Sequence, residues 1–277
     1  MSKVIRVIMC TLLAGVMAVE PASAESSTGG SSDPGPAPRA ESAPDAENPL
    51  QKGLKHRWRF NEADGSVARD AVKPGVDGQL SAKVKRVDGI HGGGIKTRRS
   101  RDSFVAFGGD VGQFGTADFT VALGISTKER LAQFDVVGNR TVGSHGSFFQ
   151  VRMTGKDPSG IGVISAEVDQ DAEGTNYATV RSAAGFNDGV PHFVTVTRAG
   201  PTLALYVDGK RQGQVEGPGV ANIANENPLH IGRSLDDACC DSVSPVMVFD
   251  GLRIYDRALS AAEVKALAEH LDDDAAP

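Results

Sequence analysis

The chain has 277 residues, a formal net charge of −6, 33 glycines and a single tryptophan. This length suffices for one large β domain or two small ones. The acidic balance argues against a nucleic-acid-binding surface, which needs clustered Lys and Arg. One small basic cluster, at Arg98, Arg99 and Arg101, is interpreted as a solvated loop, with an anion-binding site as the alternative.

Residues 1–24 have the features of a signal peptide. Lys3 and Arg6 precede an apolar stretch at 7–19, and the small residues 22–24 form a cleavage site. The apolar stretch is too short to span a bilayer comfortably. We therefore expect an exported protein, secreted or periplasmic, with no membrane span.

Residues 25–52 are predicted to be a disordered spacer. The stretch is rich in Ser, Pro, Gly and Ala, and Leu50 is its one large apolar residue. Such a segment buries too little apolar surface to offset the entropy of ordering it. The folded domain is expected at 53–271, followed by an acidic tail at 272–277.

The domain contains many short segments in which apolar and polar residues alternate, the pattern of half-buried strands. They lie at 54–60, 67–72, 78–87, 103–107, 119–125, 136–137, 148–153, 160–168, 177–181, 193–197, 202–207, 228–232 and 246–255. The clearest unit is 187–213, where a turn at 199–201 and the tight-turn pair Asp208-Gly209 separate the runs. This unit predicts three strands in meander order.

A single helix is predicted at 260–271. Ser260 is a good N-cap with Glu263 three residues later, and Val264, Leu267 and Leu271 share one face. Many short strands followed by one short C-terminal helix predict an all-β sandwich or jelly roll.

Four sequence motifs, in order, resemble laminin G-like domains of the concanavalin A-like lectin/glucanase superfamily. They are W-R-F-N-E-A-D-G at 58–65, V-D-G with G-G at 87–94, the hairpin at 187–210, and F-D-G-L-R-I-Y-D-R-A-L-S at 249–260. The resemblance implies a jelly roll of two antiparallel sheets that binds glycans or proteins, often without catalysis. Asn61 departs from the family's usual Asp, and Pro191-His192-Phe193 departs from its usual Trp-His-His.

The same resemblance implies a Ca²⁺ site where the first strand, a glycine turn and the last strand meet. The matching positions are Asn61, the carbonyl of Gly93 or Gly94, and Asp250. Carbonyl and carboxylate oxygens are the ligands that Ca²⁺ takes. The alternative is that Asp250 accepts hydrogen bonds from backbone N–H groups of the neighbouring turn, because a buried carboxylate needs a partner.

A second candidate site is the acidic run at 167–173. Glu167, Asp169, Asp171 and Glu173 would share one strand face, and jelly-roll β-glucanases carry a similar acidic motif. Retaining hydrolysis needs carboxyl groups about 5–5.5 Å apart, whereas Glu167 and Glu173 would lie roughly 20 Å apart on a strand. We therefore interpret the run as an acidic strand end that leads into a loop.

A third candidate is an aromatic platform for a sugar. Phe148, Phe149, Tyr177 and Arg181 are residue types that line sugar sites. The two phenylalanines are better interpreted as core residues, so the ligand-binding residues stay unknown at this stage.

Two adjacent cysteines, Cys239 and Cys240, lie beyond the signal peptide. In an oxidising compartment they could form a vicinal disulfide, and a loop with two reduced thiols is an equal alternative. No other ligands stand near them at the spacing of a zinc site.

These observations favour a secreted, non-catalytic binding or adhesion module that recognises a glycan or an extracellular protein. The alternatives are a glycoside hydrolase or polysaccharide lyase of the same fold, and a structural envelope protein. Glu167 discriminates between them, because an enzyme would direct it and a second carboxylate into an open cleft.

Overall fold

The computed structural model describes residues 48–140, 145–156, 160–233 and 243–270. Within these residues the chain forms sixteen strands and one helix. The strands are β1 Leu54–Trp58, β2 Val67–Ala68, β3 Gly78–Leu80, β4 Lys85–Asp88, β5 Gly93–Lys96, β6 Val105–Ala106, β7 Phe119–Thr127, β8 Phe134–Gly138, β9 Gly146–Thr154, β10 Val163–Asp171, β11 Tyr177–Arg181, β12 His192–Ala199, β13 Thr202–Val207, β14 Lys210–Glu216, β15 His230–Ile231 and β16 Met247–Tyr255, and the helix is α1 Ala261–Glu269.

The strands form two antiparallel sheets. Sheet A has the order β14-β13-β12-β7-β16-β5-β4, with β1 also paired to β16. Sheet B has the order β11-β10-β9-β8-β15-β6-β3-β2. The predicted all-β sandwich with a short C-terminal helix is confirmed.

One apolar core lies between the two sheets. Because side chains alternate along a strand, each sheet turns one apolar face inward. Sheet A contributes residues such as Leu123 and Leu205, and sheet B contributes Phe149 and Ile164. Trp58 is fully buried and donates its indole N–H to the carbonyl of Val76 at 3.0 Å.

The predicted meander is confirmed as β12, β13 and β14, which are neighbours in sheet A. Asp208 and Gly209 adopt positive φ angles of 52° and 70°, the conformation that a two-residue hairpin turn requires. The Asp208 carboxylate also accepts a 2.8 Å bond from the N–H of Phe193. The Asp208 side chain thus ties the start of β12 to the turn between β13 and β14.

The helix α1 begins as predicted and covers part of the outer face of sheet A. The Ser260 hydroxyl accepts the N–H of Glu263, and the Glu263 carboxylate accepts the N–H of Ser260, which is a complete capping box. Helix and sheet share a second apolar cluster of Ala122, Phe193, Ala204, Tyr206, Tyr255, Leu259, Val264 and Leu267. The predicted helix position Leu271 lies outside the described residues.

One predicted strand, at 78–87, is wrong as a single element. The chain instead forms β3 in sheet B and β4 in sheet A. A turn separates them, in which the N–H of Val84 donates to the carbonyl of Ser81 at 3.0 Å. The segment crosses from one sheet to the other, and the alternation of its side chains does not reveal this crossing.

Candidate binding site

The polar candidates from the middle of the chain converge on the outer face of sheet B. Strand β10 turns Ile164, Ala166 and Val168 into the core. By alternation its intervening residues, Glu167 and Asp169 among them, point outward. Glu167 lies opposite Gln150 of β9 and Thr179 of β11.

Glu167 is held in a buried ion pair. Its side chain is 5% exposed, and both carboxylate oxygens accept bonds from Arg152, with the Nε contact at 3.0 Å and the second contact between Nη2 and Oε2. Arg140 Nη1 lies 3.6 Å from the same Oε2. This bidentate geometry is the strong form of a guanidinium–carboxylate contact.

Tyr177 borders this ion pair from the edge strand β11. Burial, and then the negative charge of Glu167, raise the pKa of its hydroxyl to about 12. The hydroxyl therefore keeps its proton at neutral pH, and the side chains of Glu167 and Thr179 are its hydrogen-bond partners.

A second pair, His145 and Asp169, lies beside Tyr177. Asp169 is fully buried and its Oδ2 lies 2.7 Å from His145 Nδ1, whereas the His145 side chain is 39% exposed. Among the described residues, Oδ1 of Asp169 has no hydrogen-bond partner. The imidazole ring meets Tyr177 edge-on at 6.0 Å. The carboxylate thus orients the imidazole, and Nε2 faces away from it.

The acidic run does not form the single face of four carboxylates that a persisting strand would give. Strand β10 ends at Asp171, so Glu173 lies in the turn that follows. The Asp171 carboxylate accepts bonds from the hydroxyl and N–H of Thr175 and the N–H of Asn176. These bonds, led by the Thr175 hydroxyl, lower the pKa of Asp171.

The predicted aromatic platform is divided between the two faces of the sheet. Phe149 is a core residue, as the sequence favoured. Phe148 is also fully buried, beneath the guanidinium of Arg140 at 4.4 Å. Tyr177 and Arg181 remain on β11, half-buried and exposed respectively. Those two residues, with His145, belong to the accessible part of this face.

The predicted calcium positions come together on the other side of the sandwich, around the turn at 89–93. The Asn61 Oδ1 accepts the N–H of Gly93 at 2.8 Å. The Asp250 Oδ2 accepts the N–H groups of Ile90 and His91, each at 2.8 Å. Burial raises the pKa of Asp250, against these two donors, which lower it.

This arrangement does not fit a cage of calcium-binding oxygens. The side-chain oxygens of Asn61 and Asp250 face N–H donors, and Arg59 and Arg253 line the same small cavity. Within the described ranges, no group of three or more His, Cys, Asp or Glu side chains could hold a metal ion. The geometry fits the alternative interpretation, in which Asp250 stabilises the turn by accepting hydrogen bonds from its backbone N–H groups.

Some sequence predictions fall on residues beyond the described part of the chain. They are the signal peptide, most of the spacer, the acidic tail and the cysteine pair Cys239-Cys240. Of the helices in the described ranges, none has the length and hydrophobicity needed to cross a membrane.

The arginines that pair with Glu167 on the outer face of sheet B were not predicted from the sequence. Arg140 and Arg152 neutralise Glu167, yet neither is near it in the chain. One signal was present, because Arg152 interrupts the apolar residues Val151 and Met153 on a buried strand. A charge at such a position needs a partner across the sheet.

Comparison with known proteins assigns the fold family. A laminin G-type family model, described as the concanavalin A-like lectin/glucanases superfamily, matches residues 99–265. The chain belongs to this family. The match covers the β10–β11 face and the central hairpin, and it confirms the resemblance seen in the sequence. No curated protein matches the chain in sequence.

Solved structures share the fold at low identity. The binding domain of Paraclostridial Mosquitocidal Protein 1 has a TM-score of 0.63 and 17% identity, over 80% of this chain and 53% of that chain. The binding domain of botulinum neurotoxin DC, in complex with SialylT, has a TM-score of 0.61 and 10% identity, over 80% and 52%. A Trypanosoma rangeli sialidase has a TM-score of 0.58 and 18% identity, over 80% and 33%. The chain thus spans about half, or in the sialidase a third, of these structures.

Proposed function

We propose that the chain is an exported, non-catalytic module that binds a glycan or an extracellular protein. The fold supports this proposal, since its structural neighbours include binding domains of toxins. One of these neighbours is in complex with SialylT and another with rat synaptotagmin II. Because a sialidase is also a structural neighbour, the fold does not distinguish a binding module from a hydrolase. The residues of the site must make this distinction.

The ion pairing of Glu167 is the observation that carries the proposal. A general acid must bring a proton to a substrate oxygen, and a nucleophilic carboxylate must reach the reacting carbon. Glu167 is 4% exposed and both of its oxygens accept bonds from Arg152. A carboxylate held in this way stabilises the sheet and is poorly placed for chemistry.

The accessible residues of the same face suit binding. Tyr177 offers a half-buried ring, Arg181 an exposed side chain, and His145 an oriented imidazole. Aromatic rings with a few polar groups around them are typical of sugar sites, and Tyr and Arg are also frequent at protein interfaces. The buried ion pair beneath holds these strands in register.

The experiment is a glycan-array screen of the full chain, repeated with Tyr177→Ala and Arg181→Ala. We expect retention of at least one glycan class, with about tenfold weaker binding when either side chain is removed. Arg69→Ala is the matched control, because Arg69 is exposed beside β2 at the opposite edge of sheet B. Equal losses in the control would place the binding surface elsewhere.

Export is a separate part of the proposal, supported by the sequence. Mass spectrometry of the exported protein should give a chain that begins at Glu25, and a retained Met1 would contradict the signal peptide. A Ca²⁺ ion at Asn61, Gly93 and Asp250 is implied by the family resemblance, whereas the side-chain oxygens of Asn61 and Asp250 accept backbone N–H groups. Repeating the glycan screen with EDTA tests it, since binding unaffected by EDTA counts against a calcium role.

A further inference from the structure

Three lysines and three valines lie together at one end of the outer face of sheet A. Lys85 of β4 stands opposite Lys96 of β5, and Lys96 stands opposite Val248 of β16, so their side chains form one row across three strands. This row points outward, because Phe249, the neighbour of Val248, lies in the core. The lysine–valine surface consists of Lys85, Lys96, Lys128, Val190, Val246 and Val248.

Lys128 bounds this surface on the side away from β4. Ser126 of β7 lies opposite Val248 in the same row, and its hydroxyl donates to the carbonyl of Gly189 at 3.0 Å. The stem of Lys128 lies against Gly189, close enough that a Cβ at this glycine would clash with it. Val190 is the next residue along the chain. The valines therefore lie between Lys128 on one side and the two opposed lysines on the other.

The valines of this surface are open to solvent. Val190 is 54% exposed and Val246 is 38% exposed, and both belong to the few large apolar side chains exposed in the described part of the chain. The carbonyl of Val246 accepts the hydroxyl of Thr127 at 2.7 Å, which places Val246 beside Lys128. Helix α1 packs on a different part of the same face, the cluster that includes Tyr255. Exposed apolar residues that are grouped and rimmed by polar ones mark interaction sites.

The positive charges of the surface are not paired within the described residues. Lys85, Lys96 and Lys128 are exposed and form no ion pair there. Arg98, from the basic cluster of the sequence, is exposed two residues after Lys96 and adds a fourth positive charge. Like charges directly opposite each other, as in Lys85 and Lys96, reduce the stability of a sheet. The stability of the fold therefore does not explain this pair.

Two carboxylates near the surface are engaged in hydrogen bonds of their own. Glu129 is buried, accepts the N–H of Val246 at 3.0 Å and pairs with Arg99. Asp188 accepts the N–H of Val190 at 2.7 Å. Neither carboxylate forms an ion pair with the lysines of the surface, so the ammonium groups stay accessible to an acidic partner.

We propose that the lysine–valine surface docks an acidic segment of a partner protein, with carboxylates on the lysines and apolar side chains on the valines. Lysines on both sides of the valines are complementary to a segment in which acidic and apolar residues alternate. The surface contains no aromatic residue, and this favours a protein over a sugar, because sugar sites usually provide aromatic rings. The inference rests on the proposed function and deepens it, because it gives the protein partner a chemical character and a site on sheet A.

The test is selection of a displayed random peptide library on the full chain, followed by fluorescence anisotropy of the enriched peptides. Lys96→Gln combined with Lys128→Gln removes one charge on each side of the valines, and Val246→Ser removes an apolar contact. Lys52→Gln combined with Lys73→Gln is the matched control. Both control lysines are exposed, one before β1 and the other between β2 and β3, and their replacement changes the net charge equally.

We expect the enriched peptides to combine acidic with apolar residues. They should bind the Lys96 and Lys128 double variant about tenfold more weakly, with no change in the control. Val246→Ser should weaken binding about fivefold, because apolar contact area is lost. The double variant should unfold at the same or a higher urea concentration than the parent chain, because the opposed lysine pair is removed. Weaker binding without loss of stability cannot come from misfolding.

Enriched peptides without an acidic preference, or equal affinity for the parent chain and the double variant, would overturn the inference. Polygalacturonate provides the glycan arm of the test. If it binds the parent chain more tightly than the peptides and loses this binding in the double variant, the partner is an acidic glycan and the inference is wrong. If glycans still bind through Tyr177 on sheet B, the proposed function stands and only this inference fails.

Discussion

At the scale of single residues, the sheet B site is defined by how one carboxylate is neutralised. Glu167 is buried against Arg152 and Arg140, so its charge has a structural partner. We predict that Glu167→Gln lowers the free energy of unfolding by about 3–5 kcal/mol, because it leaves buried guanidinium charge uncompensated. Urea denaturation of the full chain measures this change.

The exposed pair of Lys83 and Asp102 is the control for that prediction, with side chains 47% and 77% exposed. Asp102→Asn should change stability by less than about 1 kcal/mol. Catalytic residues often cost stability, so their replacement tends to raise it. A Glu167→Gln variant as stable as the parent chain, or more stable, would contradict the structural role of Glu167.

His230 is a second residue whose environment sets its chemistry. Burial, and then the charge of Arg233, lower its pKa to about 4, below the value near 6.5 of an unfolded chain. Between these two values the unfolded state binds more protons. Stability should therefore fall as the pH falls from about 6.5 to about 4. NMR titration of the imidazole carbon-bound protons should give a midpoint near pH 4, and a midpoint near 6.5 would contradict the buried environment.

At the scale of elements, α1 links the end of the chain to the outer face of sheet A. Its capping box joins Ser260 and Glu263, and its apolar side packs on Phe193 and Tyr255. We predict that Ser260→Ala costs about 1 kcal/mol of unfolding free energy, because the N-cap hydroxyl is lost. Thermal and urea unfolding measure the loss. The control is Ser66→Ala, in an exposed turn, which should change the unfolding free energy by no more than about 0.5 kcal/mol. If Ser66→Ala and Ser260→Ala lose the same unfolding free energy, the loss at Ser260 does not come from its N-cap role.

The strands and the helix also show which features of the structure could be predicted from the sequence. The meander and the capped helix were predictable, because turn residues and N-caps act over a few positions. The convergence of Asn61, Gly93 and Asp250 was implied by the family resemblance. The contact of Arg152 with Glu167 and that of Arg57 with Arg253 could not be predicted, because both depend on strand register. Arg152 lies opposite Ser165 and reaches Glu167 diagonally, and Arg57 meets Arg253 across nearly the whole length of the folded domain.

At the scale of the whole molecule, the two outer faces of the sandwich differ in chemistry. Sheet B carries the Glu167 ion pair with Tyr177, Arg181 and His145 at its accessible edge. Sheet A carries α1 and the lysine–valine surface, although the chain as a whole has a formal charge of −6. Local charge, and not net charge, therefore decides which ligands each face can attract.

The central claim is that the molecule binds without cleaving. It is tested most directly by the mass of a glycan selected on the array and recovered after prolonged incubation with the full chain. We predict that the glycan is retained by the protein and recovered intact. Shortened or unsaturated fragments that disappear with Glu167→Gln would contradict the claim and establish the hydrolase or lyase alternative.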